Sequence, residues 1–304
     1  MKKDKNFKSG YVALMGKPNV GKSTLLNCFL AEKLSIISDK PQTTRDAILG
    51  ILSDDQAQVI FVDTPGVHKP LTALGQHMVR SALGAADDAD IVILIIDAQS
   101  GITKADQHIF KTLKDKKISE NCRWTAVLIN KIDLIPKENI LALLDSCSRQ
   151  ISFDAYIPVS GKTKENCALV LEKIKQALPE GPEYYPKDQL TDKNERFVVA
   201  ELIREQVLHL CREEVPHSVA VEVHKFADNP GRKTLIQATI FLERDAQKKI
   251  VIGSQGKMLK DIGSAARANI EEFIGRKVFL ELWIKVQDNW RKDESFLRRL
   301  GYEK

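Results

Sequence analysis

The chain has 304 residues and is 43% hydrophobic, enough for two buried cores and too apolar for a disordered class. Its formal net charge of +5 is uneven, because residues 247–304 hold 13 Lys+Arg against 8 Asp+Glu while residues 1–246 hold 33 of each sign, so an anionic partner is expected at the C-terminal end. No run is long and apolar enough to cross a bilayer, and five scattered cysteines (Cys28, Cys122, Cys147, Cys167, Cys211) exclude a disulfide framework or a zinc cluster and read as reduced, mostly buried thiols.

From the N-terminus, Met1-Lys2-Lys3-Asp4-Lys5 leads into a polar segment with no apolar signal region, so a cytoplasmic protein is expected. Tyr11–Met15, Val59–Val62, Ile91–Ile96 and Ala126–Ile129 are short, continuous runs rich in Val and Ile, the pattern of strands covered on both faces. Helical patterns lie between and after them, at Ser23–Leu30, Gly75–Ala86, Ala105–Leu113 and Glu165–Leu178. This alternation predicts an α/β domain over residues 1–180, a doubly wound and mostly parallel sheet. Pro179-Glu180-Gly181-Pro182-Glu183-Tyr184-Tyr185-Pro186 breaks the pattern, so residues 181–194 are expected to form a stiff linker. Residues 195–304 are expected to form a smaller α+β domain. It opens on a helix near Glu195–Arg212, continues with strands Ser218–Phe226 and Thr234–Leu242, a Gly-bearing loop, a helix to about Phe273 and a strand Val278–Val286, and ends on a short helix.

The chemistry concentrates in the first domain. Gly16-Lys17-Pro18-Asn19-Val20-Gly21-Lys22-Ser23 fits the phosphate-loop spacing G-x-x-x-x-G-K-S/T, after a strand and before a helix that continues through Thr24. Its glycines free backbone N–H groups to face phosphate oxygens at a helix N-terminus. Lys22 is expected on the β- and γ-phosphates, and the Ser23 hydroxyl on Mg²⁺. Asp63-Thr64-Pro65-Gly66 ends another strand, with Asp63 directed to the metal and the Gly66 N–H to the γ-phosphate. Asn130-Lys131-Ile132-Asp133 selects the base: the Asp133 carboxylate accepts the N1–H and exocyclic amine of guanine, and adenine would leave it unpaired. Asn130 is expected to hold the loop and face the base, with the Lys131 stem over the ring. Val159-Ser160-Gly161-Lys162 ends the next strand and offers N–H groups to the guanine carbonyl.

These four elements match the Ras-like GTPase pattern in order and spacing. Pro41-Gln42-Thr43-Thr44-Arg45-Asp46 resembles the first switch, in which one threonine completes the Mg²⁺ shell; bacterial GTPases with T-T-R favour Thr44 over Thr43. With Lys22 and Gly66, Thr44 completes the expected catalytic set.

Over almost its whole length the chain resembles the Era family of ribosome-associated GTPases. The match runs through G-K-P-N-V-G-K-S, Q-T-T-R, D-T-P-G-V-H and N-K-I-D into a second domain with Ile250-Val251-Ile252-Gly253-Ser254-Gln255-Gly256, Leu259–Gly263, Leu280–Val286 and Leu297–Tyr302. The resemblance implies a KH domain of the bacterial type. Its Ile252, Gly253, Ser254, Gln255, Gly256, Lys257 and Lys260 would contact single-stranded RNA. It also implies GTP and GDP as ligands, the 3′ end of 16S rRNA and the 30S subunit as partners, and a role in 30S assembly, with a monomer expected and no obligate protein partner.

Three peculiarities stand out. Ser254-Gln255 carries no base, so Lys248, Lys249, Lys257 and Lys260 would supply the charge. The guanine loop reads Ser-Gly-Lys rather than Ser-Ala-Lys. Val67 follows Gly66 where Ras-like enzymes hold a water-positioning glutamine, so slow intrinsic turnover is expected. Asn19 stands where related GTPases hold K⁺, although asparagine there also suits a turn. The alternative reading is a GTPase switch whose C-terminal domain makes protein contacts or peripheral contacts with the inner membrane surface.

Overall fold

The computed structural model describes residues 7–38, 40, 43–67, 72–211, 215–228 and 233–302. The chain forms two compact units. The first comprises the described residues within 1–35, 42–71 and 75–192; the second, those within 36–41, 72–74 and 193–304.

The first unit is a six-stranded sheet of β1 (Lys8–Met15), β2 (Ile48–Ser53), β3 (Ala57–Asp63), β4 (Ile91–Asp97), β5 (Trp124–Asn130) and β6 (Ala155–Pro158), in the order β2-β3-β1-β4-β5-β6. Only β2 runs antiparallel, pairing with β3, and the other pairings are parallel. The helices are α1 (Lys22–Leu30), α2 (Ala73–Asp87), α3 (Lys104–Asp115), α4 (Ile118–Asn121), α5 (Lys137–Gln150) and α6 (Cys167–Ala177). All seven residues of β4 are buried, which is why I-V-I-L-I-I-D does not alternate: both of its faces are covered. On one face Ala82 and Ala86 of α2, Ile109, Phe110 and Leu113 of α3 and Cys147 of α5 join Val92, Leu94, Ile96, Val127 and Ile129 in one cluster. On the other, Phe29 of α1 stacks on Phe61 of β3 at 5.2 Å between ring centroids. Each fully buried aliphatic side chain contributes about 1.5–3 kcal/mol relative to exposure.

The segment expected as a linker is strapped to this unit over much of its length. The side chain of Gln58, fully buried in β3, donates to the Tyr185 carbonyl at 2.8 Å and accepts from the amides of Tyr184 and Tyr185 at 2.8 and 3.0 Å. Further along, Leu190 O accepts from Ile51 N at 2.9 Å. A buried amide side chain needs such partners, and this extended, proline-bearing strip supplies them.

The second unit runs α7 (Glu195–Leu210), α8 (Val215–Ser218), β7 (Ala220–Ala227), β8 (Thr234–Leu242), α9 (Asp245–Ile252), α10 (Lys257–Ile274), β9 (Val278–Val286) and α11 (Glu294–Arg299). Its sheet has the order β7-β8-β9, antiparallel then parallel, so β9 is an edge strand. Val199, Leu202 and Ile203 of α7 and Ile262, Ala266 and Ile270 of α10 pack with Ile236, Ala238 and Ile240 of β8 in one core, which also takes in Ile36. Asn194 caps α7 by accepting from Phe197 N, and Gly275, with φ of 68°, closes α10 in the left-handed region that favours glycine.

Candidate functional site

In the first unit, β1, β3, β4 and β5 end at Met15, Asp63, Asp97 and Asn130, so the C-terminal edge of the sheet gathers the motif loops on one side. That is where open α/β sheets place ligands. Gly16 has φ of 151° and Gly21 of 93°; a Cβ on Gly21 would lie 2.3 Å from Asn130 Nδ2. Asn19 also adopts positive φ, 65°, and Val20 is buried behind it. Lys22 is buried, and its ammonium donates to the carbonyls of Gly16 at 3.3 Å and Lys17 at 3.1 Å, inside the loop. Desolvation pushes its pKa down to about 8, against the pull of Asp63. The Lys17 side chain instead turns to Ser100, Thr103 and the buried Asp106, which it meets at 2.8 Å, so it braces the loop from α3. Thr24 is the third residue of α1.

Ser23, Asp63 and Thr44 come together. Ser23 Oγ lies 2.8 Å from Asp63 Oδ2 and 3.0 Å from Thr44 Oγ1, and Thr44 Oγ1 is 3.4 Å from Asp63 Oδ2. Thr44, the second threonine of the pair, lies beside the phosphate loop. Ser35 adds a fourth oxygen, donating to Asp63 Oδ2 at 2.9 Å. Asp63 is fully buried, and desolvation raises its pKa despite the nearby Lys22 charge and the hydrogen bonds from Ser23, Ser35 and Thr44. Its Oδ1 has no hydrogen-bond partner among the described residues. A buried, half-satisfied carboxylate beside three hydroxyls is a hard-oxygen donor set that suits Mg²⁺, which takes few protein ligands and completes its shell with phosphate and water. Among the described residues no group of three or more His, Cys, Asp or Glu could hold a metal by itself.

Gly66 approaches the phosphate loop so closely that a Cβ there would be 2.7 Å from Pro18 N. Pro65 is buried beside it, and Val67 N donates to Gly16 O at 3.1 Å. Thr64 is turned away from this side, its hydroxyl donating to Leu14 O at 2.6 Å. His68, Pro41 and Gln42 lie outside the described residues.

At the guanine end the Asn130 side chain is a clasp. Its Nδ2 donates to Val20 O at 2.8 Å and its Oδ1 accepts from Gly161 N at 3.0 Å, so it ties the phosphate loop to the Ser160–Lys162 loop. Lys131, at φ of 67°, donates to Asn19 O and to Asp97 Oδ2, each at 2.7 Å. Asp133 is exposed on a short turn, and Ser160 Oγ donates to its Oδ1 at 2.7 Å. Lys162 is exposed at the loop end. The supporting residues Ser35, Asp97, Thr103 and Asp106 carry no motif. Asp97 alone had a signal, as the acidic end of an otherwise apolar strand.

All five cysteines are free. Burial pushes the thiols of Cys122, Cys147 and Cys211 up to about 11 and that of Cys167 to about 12, so they stay protonated and weakly nucleophilic.

In the second unit Gly253, Gln255 and Gly256 all have positive φ, at 71°, 51° and 74°, in the tight turn that joins α9 to α10. Ile252 ends α9, and Ser254, Lys257 and Lys260 are exposed around the turn. Beside it opens a groove of about 380 Å³ lined by Gly256, Leu259, Lys260, Gly263, Ser264, Arg267, Leu280 and Leu282. Its floor is apolar and its helical rim cationic, which suits unstacked bases with their phosphates alongside. Arg267 was not expected from the sequence, although it shares a helical face with Lys260 and Gly263. No helix among the described residues is long and apolar enough to cross a membrane.

Comparison with known proteins finds matches to both parts of the chain. A family model described as a 50S ribosome-binding GTPase matches residues 11–131, and a KH-domain model matches residues 214–291. The GTPase Era of Lactobacillus helveticus is 47% identical over 301 residues, covering 99% of this chain and 98% of that protein. That of Leuconostoc citreum is 48% identical over 300 residues, covering 98% of each. A crystal structure of an Aquifex aeolicus Era variant bound to GDP and aluminium fluoride superposes with a TM-score of 0.93 at 38% identity, covering 98% of this chain and all of that one. A structure of Era in complex with MgGDPNP and nucleotides 1506–1542 of 16S ribosomal RNA gives a TM-score of 0.92 at the same identity and coverage.

Proposed function

The chain belongs to the Era family of GTPases, and from that premise we propose how its two sites serve one function: GTP hydrolysis in the first unit switches a KH groove that holds the 3′ region of 16S rRNA during assembly of the 30S subunit. The observation that carries the RNA half of this reading is the groove itself, apolar at Leu259, Leu280 and Leu282 and cationic at Lys260 and Arg267, beside a Gly253–Gly256 turn.

The catalytic half follows from the chain's own atoms. Backbone N–H groups of residues 16–23 surround the phosphates, Lys22 neutralises the β–γ region, and Asp133 reads guanine. Ser23 and Thr44, with Asp63 behind them, would hold Mg²⁺, which supplies positive charge to the phosphate oxygens. The Gly66 N–H senses the γ-phosphate. Val67 offers no group to orient water, so intrinsic turnover is slow and additional positive charge at the β–γ bridge is valuable. Asn19 is the residue proposed to recruit K⁺ there.

A titration of the full chain with a 3′-terminal 16S rRNA fragment tests the reading, run with a GTP analogue and with GDP. Tighter binding with the GTP analogue is expected. Equal, weak binding in both states would remove the switch from the account.

A further inference from the structure

The sheet of the second unit has one face packed on α7 and α10 and another that those helices do not cover. Register assigns the residues of that outer face: Leu235 beside Phe279, Gln237 beside Glu281, Thr239 beside Trp283 and Phe241 beside Lys285. One end is closed. Arg299 of α11 forms two hydrogen bonds with Glu222 and lies 5.4 Å from the Phe241 ring, and Phe241 is buried. The other end is open, with Phe279 53% and Trp283 44% exposed.

Single exposed apolar residues are ordinary on a soluble protein. Two large aromatic rings on the same face of one edge strand, four residues and about 13 Å apart, form a pattern. Such a strand is an aggregation hazard unless something covers it. The surrounding charge selects the cover. Glu222 is neutralised by Arg299 and Glu281 keeps its charge while accepting from the Gln237 amide at 2.5 Å, whereas Lys225 and Lys285 are exposed and make no ion pair among the described residues, so the face is left with a small positive surplus. Glu281 lies between the two rings, but Lys285 follows Trp283 on β9 and Lys225 stands across β8, so stackable rings with cations near them suit bases and phosphates. The strand also gives continuity. Leu280 and Leu282 of β9 line the KH groove, while Phe279 and Trp283 alternate with them and face the opposite way. Among the described residues no strand pairs beyond β9, so a chain leaving the groove can pass over its edge.

We propose that Phe279 and Trp283, flanked by Lys225 and Lys285, form a second RNA contact: a stacking platform for single-stranded nucleotides that flank those held in the KH groove. The proposal rests on the RNA-binding reading of that groove, and the experiment separates the two. Full-length protein is titrated with a single strand of about four nucleotides, the length a KH groove clamps, and with the same strand extended at both ends to about a dozen. Wild type should bind the long strand at least about tenfold more tightly. The double substitution Phe279→Ala with Trp283→Ala should abolish that gain and leave short-strand binding intact, which also reports a folded groove. Trp283→Phe should keep the affinity while losing the quenching of indole fluorescence that the long strand causes. The proposal is overturned if the double variant binds the long strand as tightly as wild type, the outcome expected of a protein-docking face. It is equally overturned if Trp283→Leu serves as well as tryptophan, since leucine packs but does not stack. If Gly256→Asp leaves the short strand bound, the groove reading falls, whereas loss of the long-strand gain in the double variant still upholds the platform.

Discussion

Ser160 Oγ donates to Asp133 Oδ1 across 2.7 Å and accepts the amide of Thr163 at 3.0 Å, so the base-reading carboxylate is aimed by the loop that closes the same pocket. The sequence assigned only the backbone of that loop to guanine. Asp133→Asn should weaken GTP binding and gain xanthosine triphosphate, whose ring carbonyl needs a donor. Ser160→Ala should cost GTP affinity about threefold to tenfold, the worth of one ordinary hydrogen bond, without changing base preference. Filter-binding titrations with the two nucleotides read both, and unchanged GTP affinity for Asp133→Asn would contradict the assignment.

The cluster of Ser23, Thr44 and Asp63 predicts a division of labour. Lys22→Ala should lower triphosphate affinity by about tenfold to a hundredfold, as expected for loss of a charged hydrogen-bond partner. Ser23→Ala should instead make binding insensitive to Mg²⁺ while leaving part of the affinity in chelator. Isothermal titration with and without Mg²⁺ distinguishes the two, and a Ser23→Ala protein that keeps its full Mg²⁺ dependence would remove Ser23 from the metal site.

Potassium should accelerate turnover relative to sodium, and Asn19→Ala should erase the difference. The reason is chemical: Val67 N is bonded to Gly16 O and its side chain cannot position water, so added charge at the β–γ bridge has a larger effect. Phosphate release measured in the two salts settles it, with equal wild-type rates counting against the ion.

The nucleotide motifs were legible because their spacing is dictated by the ligand: a loop must cradle phosphate with glycines, and a strand end must present Asp63 or Asn130 at the sheet edge. Their supports were not legible, because each joins residues distant in sequence. Nothing near Lys17 indicates that it is held by Asp106, and nothing near Asp63 points to Ser35. The strap on Gln58 looks like a linker in the sequence because proline and glycine report broken periodicity, not what the segment lies against. Helix α5 is legible as well, since Ile140, Leu143, Leu144 and Cys147 repeat at helical spacing and pack on the core, although only Cys147 is fully buried and Leu141 is 74% exposed. In the second unit the G-x-x-G turn was visible, but the groove floor comes from Leu280 and Leu282 on a strand that shows no RNA motif.

The rim of the KH groove predicts graded electrostatics. Lys260→Ala and Arg267→Ala should each weaken binding of single-stranded RNA modestly and flatten its salt dependence by about one charge. Affinities measured across a salt series give the slopes, and unchanged slopes would place the phosphates elsewhere.

If the Gly253–Gly256 turn builds the RNA groove of a chain whose GTPase site lies elsewhere, Gly256→Asp should separate the two activities. Gly256 has φ of 74°, so aspartate adds strain as well as a negative charge at the groove. Wild type and variant should be compared for binding to the 3′-terminal 16S rRNA fragment, with GTP affinity and basal hydrolysis measured on the same preparations. RNA binding should weaken by about tenfold or more, with nucleotide binding and turnover nearly unchanged. A folded variant that binds this RNA as tightly as wild type would contradict it.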